Sequence, residues 1–167
     1  DPTGAVAADL GASTGGFTEV LLERGARRVY AIDVGRGQLA WKLQTDPRVV
    51  VMDRTYARHL ESLPEPVDWV VGDLSFISLA KVLPAVKRLL APDGRAVLLV
   101  KPQFEAGRDA IGSGGRVRSD AEREAAIARV RDEAVDAGFG IAGSADCAIP
   151  GAKAGNVEHF LHLVHDG

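Results

Sequence analysis

The stretch that most restricts the fold lies at the start of the chain, where Val6-Ala7-Ala8-Asp9-Leu10 runs directly into Gly11-Ala12-Ser13-Thr14-Gly15-Gly16. The first five residues suit a buried strand. The next six hold three glycines and cannot continue it, because glycine reaches backbone conformations and close approaches that a Cβ forbids. Apolar residues then resume at helical spacing from about Phe17 to Arg24, and Gly25 stands where a helix would stop. A strand, a glycine turn and a helix in that order predict an α/β domain.

The remaining pattern agrees. Further short, β-branched runs at Arg28 to Asp33, Val49 to Met52, Trp69 to Asp73 and Ala96 to Val100 are apolar on both faces, as in a parallel sheet covered by helices. Leu79, Val82, Leu83, Val86 and Leu90 share one helical face, with Pro84 expected to kink or shorten the helix and Pro92-Asp93-Gly94 to end it. Ser119-Asp120-Ala121-Glu122 is a capping box opening a helix that Gly138 closes. Two last strands, about Gly140 to Ile149 and Phe160 to His165, are joined by a loop too short for a crossover helix and should pair antiparallel as a terminal hairpin. Ala106 to Arg118 is glycine- and arginine-rich without apolar period, which predicts a mobile surface loop. The expected fold is a doubly wound, Rossmann-like, mostly parallel seven-stranded sheet with an antiparallel C-terminal hairpin, its ligands lying beyond the C-terminal strand ends.

Chemistry concentrates at those ends: Leu10 to Gly16, Asp33, Asp53, Asp73 and Lys101 each close a predicted strand. Asp33, about 20 residues after the glycine turn, is where an adenosine ribose would meet a carboxylate. Ser13 replaces the second glycine of the dinucleotide fingerprint, which favours S-adenosylmethionine over NAD. Gly11-Ala12-Ser13-Thr14-Gly15 also fits the serine-hydrolase elbow, but only ten residues precede it, too few for the strands and oxyanion loop that such an elbow follows. Asp73 and Lys101 sit at adjacent strand ends, and Glu158, leading into the last strand, can aim at Lys101. A desolvated cleft and neighbouring cations would lower the Lys101 pKa, so that it accepts or steers a proton.

Composition excludes several classes. At 167 residues, 46% of them hydrophobic, one domain with one core is expected. A net charge of −3 argues against a nonspecific nucleic-acid clamp, although Arg108, Arg116 and Arg118 could hold RNA phosphates. The single cysteine, Cys147, forms no internal disulfide and indicates a reducing cytoplasm. His159, His162 and His165 alternate along a strand and do not converge, so no metal is expected. No apolar run has the length of a membrane span. The first residue is Asp1, with a strand only a few positions later, and the sequence reads as a fragment of a longer chain.

Together, Asp9-Leu10-Gly11-Ala12-Ser13-Thr14-Gly15-Gly16-Phe17, Asp53-Arg54-Thr55, Asp73-Leu74-Ser75-Phe76-Ile77-Ser78, Lys101-Pro102-Gln103-Phe104-Glu105 and Gly155-Asn156-Val157-Glu158 resemble the TlyA or hemolysin A group of FtsJ-like (RrmJ-like) ribosomal RNA 2′-O-methyltransferases. The resemblance spans almost the whole chain. It implies a Lys-Asp-Lys-Glu catalytic tetrad, of which Asp73, Lys101 and Glu158 match the last three members. The first lysine would lie upstream, beside an S4-type RNA-binding domain. The implied cofactor set is Asp9, Gly11, Ala12, Ser13, Thr14, Gly15, Gly16, Phe17, Asp33, Val34, Asp53, Arg54 and Asp73, for S-adenosyl-L-methionine without metal. Tyr56 departs from the small polar residue the family would place there. The implied substrate is ribosomal RNA or a ribosomal subunit, methylated on a cytidine ribose by a cytoplasmic monomer. A cofactor- or ribosome-binding module without turnover is the alternative class.

Overall fold

A computed structural model describes residues 1–151 and 154–166, so Ala152 and Lys153 of the loop between the last two strands, and Gly167, lie outside the described residues. All five residues of β1 (Val6–Leu10) are buried, as befits a strand with neighbours on both edges and layers on both faces. The glycine turn delivers the chain to α1 (Gly16–Glu23). Gly25, at φ 92°, ends that helix: its N–H donates to the Leu22 carbonyl and that of Ala26 to Leu21, the paired closing bonds that a left-handed residue permits. There follow β2 (Arg28–Ile32), α2 (Trp41–Gln44), β3 (Val49–Met52), β4 (Val67–Gly72), α3 (Leu83–Leu89), β5 (Leu90–Val100), α4 (Pro102–Glu105), α5 (Asp120–Asp136), β6 (Phe139–Asp146) and β7 (His159–His165).

The seven strands form one sheet in the order β3-β2-β1-β4-β5-β7-β6. The first five are parallel to one another, and β7 pairs antiparallel with both β5 and β6, which makes the expected hairpin. Alternate residues divide the core. Ala7, Val29 and Ala31 pack beneath α1 and α2, while Val6, Ala8, Leu10 and Ile32 face Leu83, Val86, Ile127 and Val130 of α3 and α5. The order reverses beside β1, and this is the crevice where doubly wound sheets bind ligands.

Pro84 shortens the predicted helix to α3, as expected: it occupies the first turn, where its missing N–H costs nothing, while residues 79–81 form a separate 3₁₀ turn. Two local readings need correction. Pro92-Asp93-Gly94 lies within the span of β5, with Asp93 at φ 63° and the β4 pairing shifted there, so a bulge replaces the expected stop. The 106–118 segment is pinned: Asn156, itself buried, accepts from the Val117 N–H at 3.0 Å and donates to the Gly115 carbonyl at 3.1 Å.

The capping box at Ser119 forms as read, its Oγ accepting from the Glu122 N–H at 3.2 Å. Ser119→Ala should cost about 1 kcal/mol, lowering the melting temperature by roughly 2–4 °C for a domain of this size. An unchanged melt would show that the cap contributes nothing.

Candidate active site

The C-terminal ends of β1, β2 and β4 open onto a cleft of about 1450 Å³, lined among others by Gly11, Ser13, Asp33, Val34, Thr55, Tyr56, Asp73, Ser75, Phe76 and Phe104. Its floor is the glycine turn. The N–H groups of Gly11 and Ala12 both donate to the Ile32 carbonyl, and that of Ser13 to Asp33 Oδ2 at 2.8 Å. Asp33 Oδ1 accepts from the Gly35 N–H at 2.8 Å, so each oxygen keeps a second lone pair for a ribose hydroxyl. The glycines are required by the protein as well as by any ligand. At Gly11, φ 78°, a Cβ would strike the Asp73 carbonyl, and at Gly15, φ 105°, it would strike Leu43 and Leu39.

Asp9 lies beneath this turn with only 1% exposure. Its Oδ2 accepts from Thr18 Oγ1 at 2.7 Å, but its Oδ1 is buried without a hydrogen-bond partner. Burial pushes its carboxyl up to about 6, against the lowering effect of the Thr18 bonds and with the help of the Asp73 and Asp33 carboxylates. An orphaned carboxylate oxygen amid two more acids suits a cationic ligand, and the cleft has room for a nucleoside. S-adenosylmethionine, with an adenosine, an ammonium and a sulfonium, fits this donor set.

At the other side of the cleft Lys101 Nζ forms an ion pair with Asp73 Oδ1 at 2.5 Å and donates to Ser75 Oγ at 3.1 Å. The lysine side chain is 13% exposed and the aspartate 43%. The group facing Lys101 is thus a carboxylate, in place of the neighbouring cations expected. Glu158 also departs from expectation. It is buried, and its Oε1 accepts from Gln103 Nε2 at 3.2 Å rather than from Lys101. Phe17 packs on Phe160 at 6.3 Å between ring centroids and lines a separate apolar hollow with Trp69 and Val97, away from the main cleft. Asp53 Oδ2 accepts from the Gly37 N–H at 3.1 Å, and Arg54, at φ 53°, turns the chain beside it. The carbonyl of Thr14 accepts from the Ala40 N–H, and Gly16 begins α1.

Residues 1–164 match the FtsJ-like methyltransferase family. The chain belongs to that family. It is 53% identical over 157 residues to the 16S/23S rRNA (cytidine-2′-O)-methyltransferase TlyA of Mycobacterium tuberculosis, covering 93% of this chain and 58% of that protein. Hemolysin A of Brachyspira hyodysenteriae is 40% identical over 159 residues, covering 93% of this chain and 66% of that one. A solved structure from Streptococcus thermophilus that carries the hemolysin name superposes with a TM-score of 0.95 at 43% identity, over 99% of this chain and 60% of that one. The chain therefore spans little more than half the length of its curated TlyA relatives. A structure of an S-adenosylmethionine-dependent methyltransferase from Mesorhizobium loti, 16% identical with a TM-score of 0.71, shares the fold.

Within this FtsJ-like chain, several cleft residues had no role assigned from the sequence: Gln38, Ala57, Arg58, Lys81 and, most prominently, Phe76, which stood only as part of the Asp73 to Ser78 motif. Phe76 is 79% exposed at φ 62° and packs on Phe104 with 4.8 Å between ring centroids. An aromatic residue in the left-handed region is uncommon and marks a backbone imposed by its surroundings. Composition gives no sign of it. Among the described residues no histidine hydrogen-bonds Ser13, no group of three or more His, Cys, Asp or Glu could hold a metal ion, and no helix is long and apolar enough to cross a membrane. His162 instead stacks on Trp69, and His159 bonds Asp146 on the opposite side of its strand.

Proposed function

We propose that the domain transfers a methyl group from S-adenosyl-L-methionine to a ribose 2′-hydroxyl of ribosomal RNA, on a cytidine as its TlyA relatives are named for. The observation that carries this reading is the Asp73–Lys101 pair at 2.5 Å on the rim of a cleft whose floor is the glycine turn and Asp33. Asp33 would bind the adenosine ribose, and Asp9 and Asp73 the cationic end, with Gly11 to Gly16, Val34, Asp53 and Arg54 shaping the pocket. Bound S-adenosylmethionine supplies an electrophilic sulfonium methyl. Lys101, held by Asp73 and Ser75, keeps a third N–H for the attacking oxygen and stabilises its developing negative charge while the proton leaves to solvent. Glu158, through Gln103, fixes the far side of Lys101's turn. Phe76 offers a face on which the target base can stack. Most of the acceleration comes from positioning. The remaining tetrad lysine and an S4-type RNA-binding domain would come from outside these 167 residues, and the enzyme would act as a cytoplasmic monomer.

Incubation with methyl-labelled S-adenosylmethionine and ribosomal subunits tests it. Label should enter RNA and resist alkaline hydrolysis at one dinucleotide, because a methylated 2′-oxygen can no longer attack the adjacent phosphate. Label on a base would overturn the ribose assignment. Bound cofactor without any transfer would make the domain a binding module.

A further inference from the structure

The short helix α4, directly after Lys101, contacts both neighbouring segments of the cleft. Glu105, half-buried at its end, bridges to the loop that follows β4: its Oε2 accepts from Ser78 Oγ and its Oε1 from the Leu79 N–H, both at 2.8 Å. Ser78 in turn caps the 3₁₀ turn at residues 79–81. The loop held in this way begins at Asp73 and contains Ser75 and Phe76, the two contacts of Lys101 and the strained aromatic. A backbone in that conformation persists only where its surroundings impose it, and the carboxylate at the loop's far end supplies such a restraint.

We infer that Glu105 is a positioning residue of this site: its bridge to Ser78 and Leu79 sets the loop that aligns Asp73, Ser75 and Phe76 against Lys101. The effect on rate rests on the proposed methyl transfer, whereas the effect on the loop does not. Glu105 touches neither Lys101 nor the glycine turn, so cofactor binding, which also rests on Asp33 and that turn, should change far less than turnover.

The test compares Glu105→Ala, Glu105→Gln and Ser78→Ala in the intact protein, with rates normalised to S-adenosylmethionine-binding sites. Glu105→Ala should slow single-turnover transfer to ribosomal subunits by roughly 10- to 100-fold, the scale of a small misplacement, with a much smaller change in the cofactor Kd. Glu105→Gln should restore most of the rate, because its carbonyl still accepts from Leu79 and its amide can donate to Ser78 Oγ. Ser78→Ala, which removes one of the two contacts, should fall between them. An unaltered rate per binding site in Glu105→Ala, a parallel loss of cofactor binding, or failure of Glu105→Gln to restore turnover would each overturn the inference. If the unsubstituted protein transfers no methyl group, the proposed function fails, and amide exchange still decides the positioning role. The Leu79 amide and its loop neighbours must then exchange faster in Glu105→Ala, and equal exchange refutes the bridge.

Discussion

Lys101→Ala is expected to lower methyl transfer to ribosomal RNA by about 10²- to 10⁴-fold, the range for removing a group that assists proton departure, while S-adenosylmethionine binds as before. The structure separates the two effects. Lys101 meets Asp73 and Ser75, whereas the glycine turn and Asp33 are built on β1 and β2. Folding should tolerate the change, because the abandoned partner, Asp73, is 43% exposed and can return to water. Single-turnover kinetics beside calorimetric titration would resolve these outcomes. A variant that binds cofactor weakly but turns over normally would remove Lys101 from the chemistry.

Asp9→Asn should separate stability from binding. In the folded protein burial raises the Asp9 carboxyl from an ordinary 3.8 to about 6. The native state therefore binds this proton more tightly than the unfolded chain does, and the penalty grows as pH rises from 4 through 6. Above that window the buried charge costs about 3 kcal/mol, and roughly half of this is relieved by pH 5. Asparagine removes the charge, although its amide would inherit the orphaned position of Oδ1 and offset part of the gain. The stability of Asp9→Asn relative to the unsubstituted domain, both without cofactor, should accordingly be more favourable at pH 7.5 than at pH 5, by about 1.5 kcal/mol. Cofactor affinity should move the other way. Losing one partner of a buried charge pair costs 2–5 kcal/mol, so Kd should rise by about two powers of ten or more. In the unsubstituted domain affinity should also weaken as pH falls below 6. Melts at the two pH values with equal differences between the proteins would show that Asp9 is not a buried charge.

Much of the site was legible because its parts announce themselves over short spans. Asp33, Asp53, Asp73 and Lys101 each follow an apolar strand, and a charged residue placed there points beyond the sheet edge. What each side chain meets was not legible in the same way. Glu158 was expected to face Lys101, but it meets Gln103, which belongs to a turn after β5 that the periodicity did not mark as a helix. Phe17, inside the glycine motif by sequence, faces Phe160 across the other side of the sheet, because α1 rotates its first turn away from the cleft.

The sequence by itself determined the features that close within a few residues: the β1 run and its glycine turn, the stop at Gly25, the Ser119 cap and the antiparallel return of β7. Each depends on local dihedral preference and neighbouring hydrogen bonds. Only the tertiary structure decided that Gly11 must lack a Cβ because of the Asp73 carbonyl, that Asp9 is orphaned and buried, and that Lys101 pairs with Asp73. Those facts depend on which strands lie side by side and on how deeply water is excluded between them, and burial of the whole sheet settles both at once.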